Sequence, residues 1–430
     1  MERMNSLAPS TCINHQTDCD VESETVSEAG DIGDRTLHTS SDFTPENGVV
    51  SIPGDQKLQP SPVALSSISI GKPSAQLVTS RYSNGKGGPE HIKEHDKGLP
   101  NILDYVSCMI HLAAFGILGV LTRYLLQKLF GPDGAGVTSD HTILYLDLPS
   151  NMVGSFLMGW FGVVFKGHIS RVSEHLTIAI TTGYLGSLTT FSGWNQKMVE
   201  LSVAGHWLFS VLGFIIGLFL VGFSIIFGIE TAKGFKWLIS RLKMRSRTGS
   251  CNAEISRKVH SYKRQLAVMA VCLVMLGFLW GLSSTLVRSE FKHGHSGAEP
   301  WLACLVGPLG VWIRWFLARL NGRGVGRARL LIWIPFGTLI ANVSAACVMS
   351  ALATVKKSAN TWKCDTIVTG IQFGLLGCLS TVSTFASEFN AMRESMQPWR
   401  AYAYAMITIC VSFCFGILIF CMPVWQMSLA

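Results

Sequence analysis

The sequence predicts an all-α polytopic membrane protein: nine transmembrane helices, built as two inverted-topology four-helix repeats joined by a linker helix. Three observations predict it. The chain is 48% apolar and only 14% charged, against roughly 25% charged residues in soluble domains. Its apolar runs approach the ~20 residues that a bilayer-spanning helix needs. Much of the chain is also written twice. Gly119, Arg123, Asn151 and Gly183 recur as Gly310, Arg314, Asn342 and Gly374, each 191 positions later. That spacing exceeds any solenoid period, so it marks a duplicated domain rather than an array.

Residues 1–100 form a different material, rich in Ser, Asp, Glu, Gly and Pro without sustained apolar periodicity. Such a composition predicts a disordered N-terminal tail. Met1-Glu-Arg-Met-Asn has no apolar stretch of the signal-peptide kind. Nine apolar segments follow, near 103–126, 144–165, 176–196, 207–229, 264–285, 302–320, 331–353, 366–386 and 401–424. The first four make one repeat, 101–232, and the last four its copy, 301–425. The first and sixth carry Arg123 and Arg314, the second and seventh Asn151 and Asn342. The fourth holds Gly213-x-x-x-Gly217, a spacing that lets helices approach closely. A basic linker, 233–263, separates the repeats and leads into the fifth segment, 264–285, which has no partner in either copy.

That odd helix turns the second repeat upside down relative to the first. The distribution of Lys and Arg agrees with a cytoplasmic N-terminus and an outer C-terminus. Lys236, Arg241, Lys243, Arg245 and Arg247 in the linker, with Arg323, Arg327, Arg329, Arg393 and Arg400, then fall inside. The linker reads as a topology determinant that touches anionic lipid. The net charge of +8 needs no nucleic-acid partner to explain it.

The third and eighth segments are the unusual ones. Gly183-Tyr-Leu-Gly-Ser-Leu-Thr-Thr-Phe-Ser192 and Gly374-Leu-Leu-Gly-Cys-Leu-Ser-Thr-Val-Ser383 put glycine and hydroxyl residues inside apolar spans. Glycine costs entropy in a helix, and Ser and Thr compete for its backbone. Backbone freed at membrane depth must be buried in protein or line a cavity. Both segments are therefore expected to break and to handle an ion. Arg123 and Arg314, near helix ends, fit anchoring at the interface or a cationic mouth for anions. Asn151 and Asn342 fit helix–helix glue or pore lining. No Walker loop, zinc signature or nucleophile–base pair is present, so catalysis has no support. Nor does any span show an obviously placed carboxylate for proton-coupled transport, Asp147 and Glu200 lying near span ends.

Taken together, Gly-x-x-x-Arg-Tyr at 119–124, Gly-x-x-x-Arg-Trp at 310–315, Asn151-x-x-Gly-Ser-Phe-x-x-Gly159 and the two broken segments resemble the fluoride exporters, a tandem form of the small bacterial fluoride channels. The resemblance covers about 103–424 and implies a passive fluoride-selective channel that confers fluoride resistance. It implies two antiparallel halves in one chain, working as a monomer in a cell membrane, most simply the plasma membrane. It implies a structural sodium ion held by the backbone carbonyls of Gly186, Thr189, Gly377 and Ser380. It further implies a fluoride pore lined by Asn151, Asn342, Phe191, Phe385, Ser383 and Thr384. The family's paired phenylalanines fall at 191 and 194, then 382 and 385; here they read Phe191 and Trp194, then Val382 and Phe385. If each pore draws one aromatic from each repeat, Phe191 with Phe385 is intact, and Trp194 with Val382 is degenerate. An ion-coupled solute transporter with inverted repeats is the alternative function.

Overall fold

The computed structural model describes residues 101–139, 142–170, 173–246, 261–293, 296–322 and 331–429, with no strand among them. The 1–100 tail and the middle of the basic linker lie outside the described residues. Helix α1 is Asn101–Phe130. Helix α2 starts at Leu148 with a proline in its first turn, where the missing N–H costs nothing. It runs through a π turn, Phe161–Phe165, to Ser170. Helix α3 begins at Glu174, capped by the Ser173 hydroxyl accepting from Leu176 N–H. It passes a π turn at Ala179–Leu185 and the short piece Gly186–Leu188, breaks, and resumes as Phe191–Val203. Then come α4 (Trp207–Ser246), α5 (Ser261–His293), α6 (Glu299–Leu317) and α7 (Phe336–Ala359). Helix α8 repeats the pattern of α3: Trp362–Ile371, a π turn Gln372–Leu376, Gly377–Leu379, a break, and Ser383–Arg393. Helix α9 runs from Trp399 to Leu429 through a π turn at Ile417–Cys421.

Eight of the described helices are long and apolar enough to cross a membrane. The exception is α3, the predicted third span. Thr189 and Thr190 are extended there (φ −102°, ψ 148° and φ −142°, ψ 128°), which divides it. Other boundaries also moved. Helix α4 continues to Ser246, so the linker boundary drawn at 233 falls inside a helix. Lys, Leu, Met and Arg in that stretch are good helix formers, and no proline stops them. Helix α7 starts after Pro335 and ends at Asn360, whose φ of 42° is the left-handed conformation typical of helix ends.

The two arginine-bearing helices pack on the two broken ones through glycine. A Cβ on Gly119 would lie 2.5 Å from Tyr184 O, and one on Gly310 would collide with Leu375 O. Without side chains there, α1 and α6 sit directly on the backbones of α3 and α8. Arg319 lies 5.9 Å over the Tyr105 ring, so the end of α6 adjoins the start of α1. Trp207 and Trp425, 6.3 Å apart, join the start of α4 to the last turns of α9. The topology expected from the sequence has the tail and the 233–264 linker on one side of the membrane and the C-terminus on the other. Tag-accessibility labelling in intact cells checks it; both termini on one face would overturn the nine-span reading.

Candidate functional site

The two breaks cross, and each is capped by the other. The Thr189 hydroxyl accepts from Val382 N–H (3.1 Å) and Ser383 N–H (3.0 Å), the first donors of the resumed α8. The Ser380 hydroxyl accepts from Phe191 N–H (3.2 Å) and Ser192 N–H (3.1 Å) at the resumed α3. Helix capping by a side chain is worth ~1 kcal/mol, and here it is exchanged between repeats. Ser383 Oγ donates to Leu185 O at 3.1 Å, and Ser192 Oγ to Leu376 O at 3.3 Å. Ser383, expected to line the pore, is thus engaged in the crossing itself. Thr384 does face a small cavity, with Arg314, Thr338 and Thr381.

Both asparagines clamp the break of their own repeat. Asn151 Nδ2 donates to Thr190 O at 3.1 Å and to the Tyr145 hydroxyl at 3.1 Å. Asn342 Nδ2 donates to Thr381 O at 3.1 Å. The glue reading left open by the sequence is therefore realised in both repeats.

The arginines do not snorkel. Arg123 is 0% exposed and Arg314 5%. Arg123 donates to Phe373 O and lies 4.3 Å over the Phe373 ring, while Arg314 donates to Thr182 O (2.7 Å) and Cys378 O (2.7 Å). Each guanidinium also fills the space beside a glycine of the opposite repeat, Arg123 at Gly377 and Arg314 at Gly186. They staple the halves together from within. Each also lines a cavity, and the two cavities are one site written twice. The larger, about 390 Å³, includes Arg123, Gln127, Asp147, Thr190 and Gly193. The smaller, about 20 Å³, includes Arg314, Ala318, Thr338, Thr381 and Thr384, the positions 191 residues on.

Phe191 and Phe385 meet across the crossing, ring centroids 6.1 Å apart and both fully buried. Phe385 lies 5.2 Å from the Tyr404 ring. Tyr404, Thr408, Ser412 and Gly416 recur every fourth residue and so form one face of α9. This face is the polar track that sequence reasoning missed. At one end, Glu388 accepts from Tyr404 Oη (2.8 Å) and Thr338 Oγ1 (2.6 Å), and Asn321 Nδ2 lies 3.4 Å away. Glu388 is a buried carboxylate on the Trp362–Arg393 helix, a group that the sequence pattern did not single out. At the other end, Asn195 Nδ2 donates to Ser412 O (3.4 Å) and Ser350 Oγ to Gln196 Oε1 (2.8 Å). Asn195 Oδ1 and Ser412 Oγ are buried without a partner among the described residues. The signal was present in the repeat. Glu388, Tyr404, Thr408 and Ser412 stand opposite Lys197, Gly213, Gly217 and Val221 in the first copy.

In that first copy the track is filled. A Cβ on Gly217 would lie 2.5 Å from the Trp194 indole, and Met198 occupies the space beside Gly213. Trp194 is fully buried and stacks on Tyr145 at 5.9 Å and 6°. Val382 is buried in the same core cluster. The Gly213-x-x-x-Gly217 pair therefore makes notches for side chains rather than a bare helix–helix contact.

A family model described as "CrcB-like protein, Camphor Resistance (CrcB)" matches residues 110–229 and again 301–420. The chain belongs to this CrcB-like family. Its two matches begin 191 residues apart, like the motifs. Among curated relatives, "Fluoride-specific ion channel FluC 2" of Listeria monocytogenes is 35% identical over 120 residues, 27% of this chain and 85% of that protein. "Fluoride-specific ion channel FluC" of Geotalea uraniireducens is 30% identical over 134 residues, 30% of this chain and 91% of that protein. No solved structure matches the chain.

The implied sodium ligands of this CrcB-like chain fit a hard cation. Gly186–Leu188 and Gly377–Leu379 end in residues whose backbone leaves the helix, Thr189 at ψ 148° and Ser380 at ψ 159°. Carbonyls at helix C-termini carry partial negative charge, and such oxygens suit an alkali or alkaline-earth ion.

Proposed function

We propose that this CrcB-like protein is a passive fluoride channel that exports cytosolic fluoride through a single conducting pore. The observation that carries the reading is the Phe191–Phe385 pair, one ring from each repeat, beside the buried hydroxyl track of α9. Fluoride is small and tightly hydrated, so entering a narrow path requires replacement donors. Ser412, Asn195 and the Asn342 amide supply hydroxyl and amide groups, and aromatic rings present a positive edge to an anion. The relatives named as fluoride-specific channels support the choice of ion. A potential negative inside drives an anion outward by ~2.3 kcal/mol per 100 mV, so no coupling module is required. The crossing carbonyls of Gly186, Thr189, Gly377 and Ser380 would hold a structural sodium, fixing the two breaks against each other. The plasma membrane is the natural site for export out of the cell.

Glu388 favours a second reading, a proton-coupled fluoride transporter, because a buried carboxylate beside the track is a place for a proton. One assay separates them. Purified protein in liposomes should release fluoride in response to an imposed potential, at a rate unaffected by a pH gradient. Flux that requires a proton or sodium gradient would favour the transporter, and no flux would overturn both.

A further inference from the structure

In a regular helix the N–H of one residue bonds the carbonyl four residues back. For Thr190 that carbonyl is Gly186, and for Thr381 it is Gly377. Neither bond forms. Thr190 N–H donates to Asn151 Oδ1 at 2.8 Å, and Thr381 N–H donates to Asn342 Oδ1 at 2.8 Å. The amide nitrogens donate back to the carbonyls of the same threonines, at 3.1 Å in both repeats. Each asparagine therefore removes the helical donor from one of the four oxygens that would face sodium. Without it, the threonine N–H is either buried unpaired, which is costly, or returns to the glycine carbonyl and closes the break. The first outcome destabilises the break that presents the oxygen, and the second occupies the oxygen itself.

The two amides differ in what remains. Both N–H groups of Asn151 are engaged, with Thr190 O and the Tyr145 hydroxyl. The position matching Tyr145 in the second repeat is Phe336, which has no hydroxyl. The second N–H of Asn342 meets no protein acceptor among the described residues. Asn342 stands one turn from Thr338, which lines the smaller cavity, and two turns from Ser350 on the track.

We propose that Asn151 and Asn342 are positioning residues for the central cation, freeing Gly186 and Gly377 carbonyls, and that Asn342 alone keeps a donor for the anion. The proposal rests on the sodium reading above. The test uses the purified full chain, with its thermal midpoint measured in NaCl and in choline chloride at equal ionic strength. Wild type melts higher in sodium. Asn151→Ala and Asn342→Ala lose more than half of that sodium-dependent gain. Asn151→Asp and Asn342→Asp keep it, because a carboxylate oxygen still accepts the threonine N–H.

No gain in wild type would overturn the sodium reading itself. A gain in wild type that survives in the alanine variants would overturn the role of the asparagines and leave sodium standing. If the alanine variants do not fold, the aspartate variants decide, and loss of the gain in them overturns the proposal. In liposomes, Asn342→Asp should lower fluoride flux about tenfold further than Asn151→Asp, the factor expected for one hydrogen bond to an ion. Equal losses would overturn the asymmetry between the two amides.

Discussion

Phe191→Ala and Phe385→Ala should each abolish fluoride tolerance in a sensitive host, while Val382→Ala and Trp194→Ala leave flux per folded molecule near wild type. The two phenylalanines face each other at 6.1 Å, where the half-helices cross. An ion that has shed water there depends on every contact that replaces it. Taking the ~1.5–3 kcal/mol of a hydrogen bond to a charged group as the scale of such a contact, each truncation should cost about 10- to 100-fold in flux. Trp194 and Val382 occupy the equivalent positions in the filled track, where removing a side chain uncovers no hydroxyl column. The competing view is that all four are packing residues whose loss lowers the amount of folded protein. Surface abundance measured beside tolerance separates the two. The single-pore assignment fails if Val382→Ala or Trp194→Ala abolishes flux as fully as the phenylalanine changes do at equal abundance.

The repeat made most of the architecture legible. Arg123 with Arg314, and Asn151 with Asn342, located the helices that pack on the breaks, and the Ser/Thr runs located the breaks. What the sequence could not supply was which hydroxyl serves which repeat. Thr189 and Ser380 cap helices nearly two hundred residues away, a relation invisible to local pattern. The arginines were misjudged for a similar reason. An arginine near a helix end normally reaches the interface, but Gly186 and Gly377 open space for it inside the protein. The burial of Glu388 could not be read locally, because its partners Tyr404, Thr338 and Asn321 come from three other segments. The polar track, by contrast, was readable. Aligning the copies at 191 residues sets Tyr404, Thr408 and Ser412 against Gly213, Gly217 and Val221, and the difference between the copies, rather than their likeness, marks the path.

The filled track yields the second large effect, a size swap between Trp194 and Gly217. The indole lies where a Gly217 side chain would be, 2.5 Å from its Cβ position, and is itself fully buried. Gly217→Leu should therefore overpack the site, at ~1–3 kcal/mol or more. Trp194→Ala should leave a cavity, at ~3–5 kcal/mol for a buried aromatic. Each single variant is expected to lower the yield of monodisperse protein several-fold. Joining them puts the leucine into the space the indole vacated, and volume-conserving exchanges cost less than ~1.5 kcal/mol. The double variant should then recover most of the yield and melt above either single variant. Thermal midpoints of the four proteins, wild type included, give the coupling energy directly. Additive losses would show that the indole and the glycine do not share one volume. Fluoride flux per folded molecule provides the second readout, because an unused track predicts the same value in all four. A rise in flux in Trp194→Ala alone would mean that the indole is a removable plug in an otherwise competent second pore.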